Sequence, residues 1–88
     1  MHYVYILQSE SSGRYYKGYT TNPEHRLQEH NCNLSRYTSG RGPWRMVYLA
    51  ELLTKREALI EERRLKRLSG RSIERLIGSA SNLARGVG

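Results

Sequence analysis

The stretch that most constrains this chain is Tyr3-Val4-Tyr5-Ile6-Leu7-Gln8, followed by Ser9 to Gly13 and then Tyr15-Tyr16-Lys17-Gly18-Tyr19-Thr20. Aromatic and β-branched residues on both sides of a Ser/Gly-rich segment predict two antiparallel strands joined by a turn. A turn closing on Gln8 and Gly13 would set Tyr5 directly opposite Tyr16, with both phenols on one face. Tyrosine is also an ordinary half-buried strand residue. Core packing accounts for Tyr3, Tyr15 and Tyr19, and for Tyr5 and Tyr16 too unless other parts of the chain converge on them.

With 88 residues the chain is the size of one small domain. It contains no long apolar run, and its first residues read as a strand and not as a signal peptide. A single cysteine, Cys32, leaves no internal disulfide and fits a reducing cytoplasm. The net charge is +7, and twelve of the fifteen basic residues are Arg. That excess points to a polyanion, for which the bidentate guanidinium is suited. Passive RNA binders share this composition, so charge alone does not select an enzyme. All eight acidic residues are Glu and none is Asp. A two-metal nuclease clusters carboxylates around paired cations. This inventory instead suits one carboxylate and several waters around a single Mg²⁺.

Asn22-Pro23-Glu24 predicts a helix start, with Asn22 as the cap and Pro23 in the first turn. The helix runs to about His30. Arg26 and His30, four apart, share a face, and a solvated face is the ordinary reading of that pair. Leu27 is the only large apolar residue of this helix. Between Asn31 and Pro43 there is no periodicity. Arg36, Tyr37 and Arg41 in this loop suit phosphate contact and one stacked base, or simply a flexible surface loop. Trp44 to Leu52 reads as a third strand, apolar on both faces and therefore well covered, not an exposed edge. Thr54 and Glu57 form a capping box for the next helix, Lys55 to about Ser69, which Gly70 ends.

In that helix Ala58, Leu59 and Leu65 form one stripe, and Glu62 falls in its middle with Lys66 near the edge. A carboxylate on a core-facing stripe costs several kcal/mol unless paired or bound to a metal. A Glu62–Lys66 ion pair at i, i+4 is the simple alternative, worth only ~0.3–0.5 kcal/mol when exposed. It does not explain why the acid sits in the apolar stripe. Glu61 points away from the stripe and reads as ordinary. A short helix over residues 72–77 packs Ile73, Leu76 and Ile77 inward, and residues 78–88 read as a flexible C-terminal tail.

Tyr3-Val4-Tyr5 and Tyr16-Lys17-Gly18, then Arg26-x-x-x-His30, then Ala58-x-x-x-Glu62-x-x-x-Lys66, together resemble the small single-domain bacterial GIY-YIG proteins over residues 2 to about 77. Tyr3 replaces the usual Gly of the first triplet. The resemblance implies an α+β fold, a three-stranded antiparallel sheet flanked by helices, with residues 1–77 as the nuclease-like domain. It also implies hydrolysis of DNA phosphodiesters with one divalent metal, Mg²⁺ or Mn²⁺. Carried over, Glu62 would be the metal ligand and Arg26 would bind the scissile phosphate. Tyr5 and Tyr16 would lie at the attacking water, with His30 a polar partner. The general-base role falls to Tyr5, with Tyr16 as the alternative, because nearby cations (Arg26, the metal and Lys17) would lower a phenol's pKa. Lys17, Arg36, Tyr37, Arg41 and Lys66 are the expected nucleic-acid contacts.

The expected protein is thus a cytoplasmic, metal-dependent DNA endonuclease directed to damaged or irregular DNA, in repair or processing. It would act as a monomer or weak homodimer, with no membrane and no small-molecule cofactor. A non-catalytic nucleic-acid-binding module with the same fold is the rival. A purely structural partner protein leaves Glu62 without a role.

Overall fold

The computed structural model describes residues 1–32 and 40–86. Strands β1 (His2–Ser9), β2 (Tyr15–Thr20) and β3 (Trp44–Leu52) form one antiparallel sheet in the order β2-β1-β3. Helix α1 (Pro23–Asn31) follows the hairpin, and α2 (Lys55–Lys66), α3 (Gly70–Ile77) and a 3₁₀ turn (Leu83–Gly86) follow β3. The fold is α+β, as the sequence predicts. Among the described residues no helix is long and apolar enough to cross a membrane.

β1 is central, and its middle residues Val4, Tyr5, Ile6 and Leu7 are all buried. Val4 and Ile6 pack with Tyr48, Ala58, Leu65 and Ile73 under α2 and α3. Tyr5 and Leu7 face the other way, onto Trp44 and Leu49, with Leu27 of α1 packed alongside. Burying an aliphatic side chain of this size contributes roughly 1.5–3 kcal/mol, so β1 anchors both layers.

The hairpin register differs from the sequence reading. Tyr5 opposes Gly18, and Tyr16 opposes Leu7. The connection is longer than a turn closing on Gln8 and Gly13. Ser9 N–H donates to Arg14 O at 2.9 Å, and Gly13 takes φ +77° outside the ladder. The offset is two residues, which preserves the face because side chains alternate with period two.

β3 has the boundaries the sequence predicts but lies at the sheet edge. A register break opposite Ile6/Leu7 puts Trp44 and Met46 on the same face as Leu49, while Tyr48 points to the other layer. That bulge is why the strand is apolar on both faces without being central. Its outer edge is covered by two asparagines. Asn31 Oδ1 accepts from Trp44 N–H at 2.7 Å and its Nδ2 donates to Trp44 O at 3.1 Å. Asn82 Oδ1 accepts from Leu49 N–H at 3.0 Å while Nδ2 donates to Val47 O at 2.8 Å and Ile77 O at 2.9 Å. Each amide stands in for a missing strand and blunts an edge that would otherwise pair with another chain.

The predicted flexible tail is therefore docked over residues 79–86, held by Asn82, which is only 4% exposed. The helix boundary also moves. α2 stops at Lys66, and Gly70 is the first residue of α3, capped by Ser69 accepting from Ser72 N–H. Ser69 is a better cap than the following Gly is a terminator.

Replacing Asn82 with Ala leaves buried backbone groups of β3 unpaired, at about 1–3 kcal/mol each. Asn82→Ala is expected to lower stability by roughly 3 kcal/mol in urea titrations. A loss below about 0.5 kcal/mol, typical of an uninvolved surface position, would show that the segment is not held this way.

Candidate active site

The short helix α1 begins as the sequence predicts, with Asn22 Oδ1 accepting from His25 N–H. Its single fully buried side chain is His30, so the helix docks through a histidine and not through an apolar stripe. The solvated-face reading of His30 is thereby overturned. Burial is possible because Tyr5 and Tyr16 supply an aromatic wall. The His30 ring meets Tyr16 edge-on at a centroid distance of 5.0 Å and Tyr5 at 5.9 Å. The two phenol rings lie 6.3 Å apart, diagonal neighbours on one sheet face.

Tyr5 occupies this place because Gly18 opposes it. A Cβ built on Gly18 would fall 2.5 Å from Tyr5 Cζ and collide with the hydroxyl. The missing side chain lets the phenol lie across the edge strand β2. There its oxygen sits 3.0 Å from His30 Nε2, with the Arg26 guanidinium near enough to interact with it. The Nδ1–H tautomer of His30 lets Tyr5 donate its one proton to Nε2. Burial, with the Arg26 charge beside it, pushes the His30 pKa from 6.5 down to about 4. The imidazole is therefore neutral near pH 7 and can accept that proton.

Burial also pushes the Tyr5 phenol up to about 12, the charges of Tyr16 and Glu62 adding to the effect while Arg26 opposes it. Of the cations that the sequence reading sets beside Tyr5, Arg26 is there and lowers the phenol's pKa, but desolvation outweighs it. Tyr16 is only half-buried, and Arg26 is near enough for its charge to interact with Tyr16. Arg26 itself is partly exposed, with Nη1 3.5 Å from Glu29.

Glu62 arrives from α2. Ala58 and Leu65 are fully buried and mark the centre of the packed stripe, while Leu59 is 38% exposed and stands outside it. At about 100° per residue, Glu61 and Glu62 flank that centre on opposite sides. Glu62 lies on the side toward the tyrosines, near enough for its charge to act on Tyr5. It is about one-fifth exposed and pairs with Lys66 at 3.7 Å, so the simple ion pair exists as well. Glu61 is not ordinary: it pairs with Arg64, is as covered as Glu62, and its charge acts on Tyr48. The stripe is narrower than the sequence suggests, so both acids border it.

The remaining predicted contacts divide. Lys17 opposes Ile6, so its side chain lies on the α2 face, away from Tyr5 and Tyr16. Lys66 is held by Glu62. Arg41 is exposed beside the hairpin turn. Arg36 and Tyr37 lie outside the described residues. Gly18 carries the site's geometry although sequence reasoning did not name it as functional; a Gly opposite an aromatic was the available signal.

Among the described residues no group of three His, Cys, Asp or Glu could cage a metal. The site offers two partly exposed carboxylates, Glu62 paired with Lys66 and Glu29 paired with Arg26 and His25, and Glu62 is the one not tied to that arginine. That donor set fits a cation such as Mg²⁺ completed by waters and substrate phosphate, and not an all-protein cage.

The sequence profile of the GIY-YIG catalytic domain matches residues 1–76. The chain belongs to the GIY-YIG family, a nuclease superfamily acting on nucleic acid. It is 47% identical over 68 residues to a UPF0213 protein of Oceanobacillus iheyensis, covering 76% of this chain and 78% of that one. With a UPF0213 protein of Halobacterium salinarum the identity is 41% over 70 residues, covering 78% and 90%. The solution NMR structure of the UPF0213 protein BH0048 from Bacillus halodurans has the same fold, with a TM-score of 0.60 at 37% identity, covering 98% and 92% of the two chains.

Two outcomes follow from the geometry. Gly18→Ala should displace the Tyr5 ring and separate it from His30, read as loss of the Tyr5–His30 nuclear Overhauser contacts; unchanged contacts would contradict the packing argument. Between about pH 6.5 and 4 the unfolded chain takes up a proton that His30 refuses in the fold, so stability falls as pH drops through that window. The loss is roughly 3 kcal/mol at most, at 1.36 kcal/mol per pKa unit. Denaturation across this range should be markedly flatter for His30→Gln, and an identical slope in both proteins would remove His30 as its source.

Proposed function

We propose that this protein is a divalent-metal-dependent DNA endonuclease that hydrolyses phosphodiester bonds in irregular or damaged DNA. The observation that carries this reading is the convergence of Tyr5, Tyr16, Arg26 and His30 beside the Glu62 carboxylate. Docking α1 accounts for the Tyr5–His30 pair but not for Tyr16, Arg26 and Glu62, each partly exposed, at the same margin of the sheet.

Arg26 is the phosphate ligand. Its guanidinium is steadied by Tyr5 and Glu29 and keeps donors for the nonbridging oxygens, where charge accumulates as water adds. Tyr5 and His30 are positioning residues: the hydrogen bond from Tyr5 to His30 fixes the phenol so that its oxygen faces Arg26. Tyr16 takes the proton of the attacking water. It is the less covered phenol, with the Arg26 guanidinium near it, and it acts once its own proton has gone to solvent. The new bond joins water oxygen to phosphorus, the opposite P–O bond breaks, and the departing oxygen is protonated from solvent. Glu62 would hold Mg²⁺ or Mn²⁺, which when bound supplies positive charge at the phosphate. Lys66 would release Glu62 to do so. The cluster would engage backbone phosphate and not base edges, so DNA form is a more natural determinant of cutting than sequence, which suits repair or processing.

The purified protein is expected to nick plasmid and branched DNA with Mg²⁺ or Mn²⁺ and not in EDTA. Glu62→Ala, Arg26→Ala and Tyr16→Phe should each lower the rate at least about 100-fold, as loss of a general base or a charge-stabilising group does. Tyr5→Phe, which removes only a positioning hydroxyl, should cost less. Wild-type rates in both Glu62→Ala and Arg26→Ala, with intact circular dichroism, would assign the nicking to another protein. Binding without metal-dependent cutting would favour the passive module.

A further inference from the structure

Beyond the catalytic cluster, the turn of the β1–β2 hairpin is fastened to the segment preceding β3. Ser9, a buried residue that the chemistry does not use, donates from Oγ to Arg41 O at 2.7 Å and accepts from Ser12 N–H at 3.1 Å. Ser11 Oγ reaches Arg41 O and Gly42 O at 3.4 and 3.3 Å, and Glu10 N–H donates to Pro43 O at 2.9 Å. These bonds join two loops that sequence alone leaves independent. Between them opens a cleft of about 390 Å³, lined by Ser11, Ser12, Arg14, Tyr15, Arg41 and Trp44.

Among the described residues the lining has two guanidinium side chains and no acid. Tyr15, the buried Trp44, two serines and Gly40 make up the rest of it. Trp44 also meets the Tyr16 ring at a centroid distance of 6.4 Å, so the cleft begins one side chain from the phenol assigned to catalysis. Cationic forks beside the half-buried Tyr15 ring in a small recess match one nucleotide with its phosphate. A duplex presents its backbone on a convex surface and keeps its bases stacked inside, so it cannot fill such a recess.

We propose that this cleft seats one unpaired nucleotide next to the bond that is cut, its phosphate held by Arg14 and Arg41. The inference rests on the nuclease reading of the neighbouring site and narrows its substrate to nucleic acid with a single-stranded segment there. The fastening through Ser9 means that the recess exists before binding, so little ordering is lost when it fills.

The test measures fluorescence anisotropy of labelled oligothymidylate and of a duplex of equal length, in EDTA so that nothing is cut. The double variant Arg14→Ala/Arg41→Ala changes two exposed positions and should bind the single strand about tenfold more weakly. Its log–log salt slope should be flatter by about 1.4, the value for two single-strand phosphate contacts, with duplex affinity changed less. Arg56→Ala/Arg63→Ala, removing equal charge from exposed positions of α2, should leave single-strand binding within about twofold. Equal losses for both double variants, equal losses on both DNAs, or no loss in the cleft variant would each overturn the proposal. The two readings fail separately. If the cleft variant binds normally while Glu62→Ala stops nicking, the cleft is wrong and the nuclease stands. If the cleft variant loses single-strand binding and no protein nicks DNA, the cleft stands without the nuclease.

Discussion

The structure depends on the Tyr5 phenol lying across Gly18. From that position it does two incompatible-looking jobs, filling the layer between sheet and α1 and presenting one oxygen to both Arg26 and His30. The hydrocarbon ring provides the first and the hydroxyl the second. A phenylalanine could fill the space but would leave a buried imidazole nitrogen without its partner, at a cost of about 1–3 kcal/mol. An added methyl on residue 18 would push the ring off its seat. The helix is thus docked by a hydrogen bond that is also part of the site, which couples the stability of α1 to the placement of Arg26.

Electrostatics then divides two similar phenols. Tyr5 is sealed from solvent and its ionisation is opposed mainly by desolvation. Tyr16 remains half-covered at the mouth of the same cluster, within reach of the arginine's charge. Two identical side chains thus differ in cover, Tyr5 closed in as a brace for α1 and Tyr16 left partly open. Glu62 completes the arrangement from the other layer, at the flank of a helix whose buried centre is only Ala58 and Leu65.

What the sequence disclosed follows periodicity. Face assignment along the hairpin survives a two-residue error in register because the period is two, so Tyr5 and Tyr16 meet although they are not directly opposed. The same parity would have excluded Lys17 from their face. Features set by contacts between distant segments were hidden. Nothing local marks β3 as an edge, since its bulge gives both faces apolar residues. Nothing local separates Asn82 from the small polar residues around it, although its amide closes that edge. His30 looks like a surface histidine until the hairpin supplies its aromatic walls.

The central claim is that a neutral His30 receives the Tyr5 proton. The most direct measurement is an NMR titration of the His30 imidazole nitrogens and ring protons in ¹⁵N-labelled protein. The account predicts the Nδ1–H tautomer, neutral down to about pH 4, with Nε2 shifted as a hydrogen-bond acceptor. An imidazole that titrates near its ordinary 6.5, or one that carries its proton on Nε2 at neutral pH, would contradict it.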